Sequence, residues 1–393
     1  MVNILGITLS GVSQKEAIAK VKDWLNGDQP HYIVTPNPEI ILAATKKSDE
    51  ELFYVLNQAD LSLADGIGLK FAAWLYGKRL PRATGADLVP AILKMAQTQQ
   101  KKVLFLIYNQ GLSSAADIEK VISAKYAGLN FAVKAIGRDI LGPDNLINNL
   151  EADIVFVALG APYQEKFIFH HRQNITNLKV AVGIGGALDF LTKKAHRAPR
   201  ALRFVGLEWL WRLILNPRRI KRIFNAAIIF PYEVFKYRFI IPLKYRPNVA
   251  CLLYKKEGDQ YKIFLVERTL NPGHWQMPQG GTDGLSIKEA GIKELKEETG
   301  NTNFKVMSVY NFLYRYRFDS ALGKWPSQRH LGYKGQKQGL LIAKFQGKDE
   351  DIKINFWDHS AYQWVDIDEA VNKVHPLRQE STKIYIEKLK EII

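Results

Sequence analysis

The chain has 393 residues, 47% of them hydrophobic and 24% charged, with a formal net charge of +16 at pH 7. That length exceeds one ordinary domain, and the composition is that of a globular protein with room for real cores. The single cysteine, Cys251, excludes an internal disulfide framework. No basic segment precedes the first apolar residues, and no apolar run reaches the roughly 18 residues of a spanning helix, so a cytoplasmic protein is expected.

Residues 1 to about 195 alternate short apolar runs (Tyr32–Val34, Leu61–Ala64, Val103–Ile107, Ile154–Leu159, Val180–Ile184) with amphipathic stretches. One of these, Ser13–Leu25, opens on a capping box of Ser13 and Glu16. The alternation predicts an α/β domain, a Rossmann-like parallel sheet with helices on both faces and ligands gathered at the strands' carboxyl ends. Four turns follow apolar runs: Thr35-Pro-Asn-Pro-Glu39, Ala64-Asp-Gly-Ile-Gly68, Gly160-Ala-Pro-Tyr-Gln-Glu165 and Gly183-Ile-Gly-Gly-Ala-Leu-Asp189. Glycines let backbone N–H groups approach an anion, and a helix start adds its dipole. Asp65 suits a general base or a partner for a sugar hydroxyl. Taken singly, Asp65 reads more simply as a helix cap and the glycines as tight turns.

Together with Arg79-Leu-Pro-Arg-Ala-Thr-Gly-Ala-Asp87 and Ala195-His-Arg-Ala-Pro199, the four turns resemble the WecG/TagA/CpsF glycosyltransferases over about residues 1 to 240. The resemblance implies inverting transfer of a sugar, such as N-acetylmannosamine or its uronic acid, from a UDP-sugar to a polyprenyl-diphosphate-linked acceptor, with no metal. It implies Asp65 as the catalytic base, with Thr35 and Asn37 lining the site. Gln164 and Glu165 would contact the nucleotide-sugar, Arg82 and the Thr84-Gly85 turn would lie beside the cleft, and Gly185 would join the substrate-binding positions. Two positions depart from the family pattern. Tyr108-Asn109 replaces a usual glycine pair, and Tyr163 stands where a basic residue is common; both bear on which donor is accepted.

From Arg197 to Arg246, twelve Lys/Arg face two acids, Glu208 and Glu233. Such a block prefers an anionic partner: a lipid surface, a nucleic acid or a polyphosphate. The arginines are interleaved with Phe204, Trp209, Trp211 and Phe224, as on an interfacial helix at an anionic membrane. A core or oligomer-interface helix and nucleic-acid binding are the alternatives. Pro217, Pro231 and Pro242 are expected to break the segment into pieces. The family resemblance implies an appendage that completes the active site at the membrane, with Arg212, Arg219 and Arg222 neutralising the pyrophosphates.

From about Arg246 an α+β pattern begins, with strands at Val249–Tyr254 and Tyr261–Glu267 around a Glu257-Gly-Asp259 turn. A helix follows, then strands near Val306–Tyr316 and Gly339–Phe345 and a closing helix from about Ser381. The helix carries Glu294, Glu297 and Glu298, whose spacing puts them on one face. Crowded carboxylates of this kind suit magnesium or manganese; a solvated Lys–Glu face is the plainer alternative.

Trp275-Gln-Met-Pro-Gln-Gly-Gly281 followed by Lys293-Glu-Leu-Lys-Glu-Glu-Thr-Gly300 resembles the Nudix box. Tyr333-Lys-Gly-Gln-Lys-Gln338 and Trp364 resemble the branch of RNA pyrophosphohydrolases and dinucleoside polyphosphate hydrolases. The resemblance implies metal-assisted hydrolysis of a nucleoside diphosphate derivative. Glu294, Glu297 and Glu298 would hold the metal, Glu297 and Glu298 would serve catalysis, and Asp358 would be an additional catalytic carboxylate. The loop Thr282–Ile292 is about two residues shorter than the family pattern and lacks its glutamate, Lys293 replaces an arginine, and Asn301 replaces an apolar residue. A nucleotide sensor without turnover is the alternative, and His274 and His375 read as structural. The chain as a whole is expected to be bifunctional: a glycosyltransferase core at 1–195, a membrane-facing appendage at 196–245 and a Nudix domain at 246–393. It would sit peripherally on the inner face of the membrane, with homo-oligomerisation open.

Overall fold

A computed structural model describes every residue except 46–48, 139–149, 197, 200–201, 203–207, 216, 218–219, 301 and 319–332. The side chains of residues 208, 209, 212 and 215 also lie outside the description. The chain divides into two compact units, Met1–Lys236 and Tyr237–Ile393.

The first unit holds a six-stranded sheet in which every pairing is parallel. Its spatial order is Leu61–Ser62, His31–Val34, Val180–Gly183, Ile154–Ala158, Val103–Tyr108 and Phe131–Ile136. In the central strands consecutive residues are buried, as in Ile154–Val157 and Val180–Gly183. Successive side chains point to opposite faces, so both faces are covered. Ile33, Phe105, Phe156 and Val182 share one core with Val21, Leu88 and Ile92 of the flanking helices. Each large apolar side chain so buried contributes about 1.5–3 kcal/mol.

The expected capping box is present, with Ser13 and Glu16 bonded reciprocally at the start of Gln14–Trp24. The strand Phe131–Ile136 escaped the sequence pattern because it is an edge strand, only partly covered and carrying Lys134. An antiparallel hairpin, Val2–Ile4 with Ile7–Leu9, escaped it through brevity.

Pro231 does not break the basic segment as expected, whereas Pro242 lies in the short turn that ends its helical run. The chain is helical without a break from Ile220 to Phe235. A π-helical turn at Asn225–Ile229 precedes Phe230–Phe235, and Pro231 sits in the first turn of that helix, where its missing N–H costs little. Phe230 and Val234 are buried, whereas Ile220, Phe224, Ile228, Tyr232 and Phe235 are exposed. Among the described residues no helix is long and apolar enough to cross a membrane.

The second unit holds a seven-stranded mixed sheet. Tyr245–Glu257 pairs in parallel with Gly335–Phe345 at its centre and turns antiparallel into Gln260–Arg268 through Gly258, whose φ is 60°. Alternation along the central strand feeds two cores. Val249, Cys251 and Leu253 pack with Ala290 and Leu295 of helix Ile287–Thr299. Ala250, Leu252 and Tyr254 pack with Tyr385, Ile386 and Leu389 of helix Pro376–Lys390. A strand not expected from the sequence, His359–Asp366, pairs with Lys262–Arg268 and brings its leading turn beside the glutamate helix.

Candidate active sites

In the first unit a cleft of about 1030 Å³ opens where the parallel strands end. Because those strands run one way, the turns after them collect on one side, and Thr35, Asn37, Asp65, Gly160, Gln164 and Gly185 all line the opening. Arg82, Thr84 and Gly85 line it from the start of helix Gly85–Thr98, and Arg222 lines it from the basic segment. Arginine and lysine side chains (Arg82, Arg138, Lys194, Arg222) outnumber carboxylates (Glu39, Asp65, Asp189) in the lining. That balance suits a diphosphate.

Asp65 is not the cap that a lone strand-end aspartate suggests. The helix Ile67–Leu75 begins from Gly66, with φ 108° and no side-chain cap. The Asp65 backbone N–H donates to Pro36 O at 2.9 Å, which ties its turn to the Thr35–Glu39 turn. Asn37 and Thr84 do serve as caps. Asn37 Oδ1 accepts from Ile40 N–H at 2.9 Å, while Thr84 Oγ1 donates to Asp87 Oδ2 at 2.7 Å. Thr35 Oγ1 donates to Gly183 O at 3.2 Å, stitching neighbouring strands together. These three side chains shape the cleft as much as they face it.

Gln164 is the bridge of the site. Its Oε1 accepts the Gly185 N–H at 2.9 Å, and its Nε2 donates to Glu165 Oε1 at 2.8 Å. Two expectations change accordingly. The Gly185 N–H serves Gln164 rather than standing ready for an anion. Glu165, 1% exposed, lies behind Gln164 and does not line the cleft. Burial pushes its carboxyl up to about 7, against the bond from Gln164. In this arrangement Glu165 accepts from the Gln164 amide and does not reach the cleft surface.

Arg222 Nε donates to Glu39 Oε2 at 2.9 Å, so the expected arginine reaches the cleft already held by a carboxylate. Arg219 lies outside the described residues, as does the side chain of Arg212. Sequence patterning missed Glu39, Arg138 and Lys194. Arg138 follows the overlooked edge strand, and a recognised sixth strand would have put it in line with the other strand-end residues.

In the second unit the strand Gln279–Gly281 pairs with Asn248–Ala250 and lies against the glutamate helix. Ser286 and Glu289 cap that helix, and Gly300 ends it in the left-handed conformation. Gly280 lets the glutamate side chain lie against the strand: a Cβ there would stand 2.1 Å from the Glu294 carboxylate as it is placed. At Gly281 a Cβ would stand 2.6 Å from an Arg246 Nη atom. Glu294 and Glu298 are buried, whereas Glu297 is exposed, with Lys293 Nζ 3.5 Å away.

Glu298 Oε2 is 3.2 Å from His359 Nε2, but the alignment gives no hydrogen bond and leaves that buried oxygen without a donor. Burial opposes a charge on His359, yet the nearby Glu298 and Asp358 outweigh it and raise its pKa. Arg268, its pKa lowered by burial, has Asp358 and Glu298 as charge neighbours. Asp358 is thus brought to the same cluster as the helix glutamate Glu298. His359 and Arg268 were missed, because neither belongs to a recognisable spacing.

The three helix carboxylates share a helix face but not one point. Among the described residues no group of three His, Cys, Asp or Glu side chains converges as a ready-made cation site. In kind the donors fit a hard divalent ion, and the donorless Glu298 oxygen is the place such an ion would satisfy.

Comparison with known proteins agrees with this division. Residues 2–242 match the glycosyl transferase WecG/TagA/CpsF family, and residues 244–387 match the NUDIX domain. An N-acetylglucosaminyldiphosphoundecaprenol N-acetyl-beta-D-mannosaminyltransferase of Bacillus subtilis (strain 168) is 34% identical over 233 residues, covering 58% of this chain and 86% of that protein. Its namesake from Staphylococcus aureus (strain MRSA252) is 29% identical over 241 residues, covering 60% of this chain and 92% of that protein. Among solved structures, a C. elegans Ap4A hydrolase binary complex matches at 18% identity with a TM-score of 0.29, covering 37% of this chain and 98% of that one. The chain belongs to the WecG/TagA/CpsF family of glycosyl transferases and carries a NUDIX domain after it.

Proposed function

We propose that the first unit transfers N-acetylmannosamine from a UDP donor to an N-acetylglucosaminyl-diphospho-polyprenol acceptor, with inversion. The observation that carries this reading is Asp65: a strand-end carboxylate in a predominantly cationic cleft, not spent as a helix cap. In the reaction Asp65 takes the proton of the acceptor hydroxyl as its oxygen attacks the anomeric carbon. The bond from that carbon to the donor phosphate breaks, and its electron pair leaves with UDP. Arg82 and Arg222 lie where they would offset the charge that develops on the leaving diphosphate. Their action needs no metal.

The surface beside this site supports a lipid-linked acceptor at an anionic membrane face. Ile67, Phe71 and Trp74, exposed at helical spacing just after Asp65, lie on a helix that packs against Phe230–Phe235. The exposed series Ile220, Phe224, Ile228, Tyr232 and Phe235 repeats at the same spacing. Apolar side chains set among lysines and arginines suit headgroup-level insertion better than a wholly solvated helix.

The second unit is proposed to hydrolyse a nucleoside diphosphate derivative with magnesium or manganese held by Glu294, Glu297 and Glu298. Such an ion would polarise phosphoryl oxygens and lower the pKa of bound water. His359 and Arg268 offset the Glu298 charge from behind, so that they would help position that carboxylate for such an ion. Donors of the UDP-sugar class, offered with a short-chain lipid-diphosphate acceptor, test the first activity. Phosphate or nucleoside monophosphate release from a panel of nucleoside diphosphate derivatives, with and without magnesium, tests the second. Absence of sugar transfer from every donor overturns the first assignment. Nucleotide binding without any release turns the second unit into a sensor.

A further inference from the structure

Arg138 is a cleft residue that the proposed chemistry leaves without a role, and it is held from three sides. Its Nε donates to Leu159 O at 2.8 Å. Its guanidinium lies 4.0 Å from the centre of the Tyr108 ring and 4.9 Å from that of Tyr163. Gly160 leaves room for it, since a Cβ there would be 3.1 Å from an Nη atom of Arg138. Tyr108 and Tyr163 are the two positions where the sequence departs from the family pattern, and the fold brings both onto one arginine. A guanidinium fixed at Nε and stacked on two rings keeps its Nη edge for hydrogen bonding and loses little freedom when a ligand arrives.

Position along the sheet identifies what that edge meets. Asp65 follows the strand Leu61–Ser62, and Gly160 follows Ile154–Ala158, three strands further across. At about 4.8 Å per strand the separation is about 14 Å. That is too far for a group on the reacting sugar, and it matches a nucleotide laid out from the anomeric carbon across the strand ends.

We propose that Arg138, clasped by Tyr108 and Tyr163, recognises the nucleotide half of the donor and sets donor affinity in this chain. This rests on the UDP-sugar transferase reading. The test is donor and acceptor KM for wild type, Arg138→Ala and Arg138→Lys, together with calorimetric binding of UDP and uridine in the presence of EDTA. The expected result is a donor KM at least tenfold higher in Arg138→Ala, with acceptor KM within twofold and UDP binding weakened in parallel. Arg138→Lys, which keeps charge but loses the stacked fork, should recover less than half of the loss on a logarithmic scale.

A weakening shared by UDP and uridine assigns the contact to the nucleoside, and one confined to UDP assigns it to the phosphates; either supports the proposal. Unchanged donor KM and UDP affinity in a folded Arg138→Ala protein overturn it, as does a rise in acceptor KM alone. Wild-type protein that binds no UDP overturns both this proposal and the transferase reading. Should Arg138→Ala not fold, Tyr163→Leu, which removes one wall of the clasp, should raise donor KM at least threefold, and an unchanged value rejects the proposal.

Discussion

The two sites solve opposite problems with charge. In the first unit polar side chains line an open cleft and most are tied to backbone groups: Asn37 and Thr84 cap helices, Thr35 ties two strands, and Gln164 accepts from Gly185, while Arg222 pairs with Glu39. In the second unit the polar groups are ionisable, packed beneath the surface and set against one another, with Glu294, Glu298, His359, Arg246 and Arg268 in a single cluster. A cleft built from a fixed backbone is preorganised, as the proposed sugar and ready-made diphosphate require. A buried cluster of opposed charges is sensitive to any change in its charge balance, and the proposed divalent cation would enter that balance. The comparison predicts that the first site is broken by removing one base, and the second by changing its charge balance.

The largest effect is expected at Asp65. Asp65→Asn keeps the shape of the turn and removes the proton acceptor, so sugar transfer should fall by about 10²–10⁴-fold. Hydrolysis by the second unit should stay at the wild-type rate. A variant that transfers sugar as fast as wild type removes Asp65 from the mechanism.

Glu165 is a buried ionisable group in the first unit, and its effect is on stability. Burial holds its folded pKa at about 7, above the ordinary glutamate value of 4.5. The folded state therefore binds the proton more tightly than the unfolded state. Stability from this group is full below pH 4.5, falls as pH rises through 7, and is level above that. The difference amounts to at most about 3 kcal/mol. Glu165→Gln should remove this part of the pH dependence and be the more stable protein at pH 8. Urea unfolding at pH 5 and pH 8 measures it; identical pH slopes in the two proteins would contradict the assignment.

In the second unit Glu298→Gln removes the charge that faces His359 and the oxygen that lacks a donor. Divalent-ion-dependent hydrolysis should drop by at least about 10–100-fold, the scale of loss at metal-site partners. Transfer by the first unit should be unaffected. Equal hydrolysis by wild type and variant would leave Glu298 with a structural part only.

The contrast between the sites also explains what the sequence disclosed. Alternating apolar runs disclosed the parallel sheet because its central strands are buried on both faces, and the turns that carry the cleft follow those runs. Phe131–Ile136 was hidden because an edge strand needs no continuous apolar run, and with it went Arg138. The glutamate helix was legible because three carboxylates at helical spacing are local. His359 and Arg268 were not, since an antiparallel pairing across nearly 100 residues of chain brings them together. Glu165 was placed at the nucleotide-sugar by the family resemblance, which names residues and does not show which way each side chain faces. Only the packing turns Gln164 to the cleft and Glu165 behind it.

The smallest effect tests whether the second site depends on close packing as well as charge. Gly280→Ala places a methyl group where the Glu294 carboxylate now lies, 2.1 Å from its carbon. The obstacle is the end of a side chain rather than backbone, so Glu294 can rotate away at a cost near the low end of overpacking, about 1 kcal/mol. The fold should survive with a thermal midpoint only a few degrees lower. Hydrolysis should fall by more than that change in stability accounts for, because the displaced carboxylate no longer lies beside Arg246 and the glycine strand. Raising the magnesium concentration should restore part of the rate if the displaced Glu294 is a ligand whose loss weakens metal binding. A loss of rate that magnesium leaves untouched would assign Glu294 to packing, and the divalent-ion site would then rest on Glu297 and Glu298 alone.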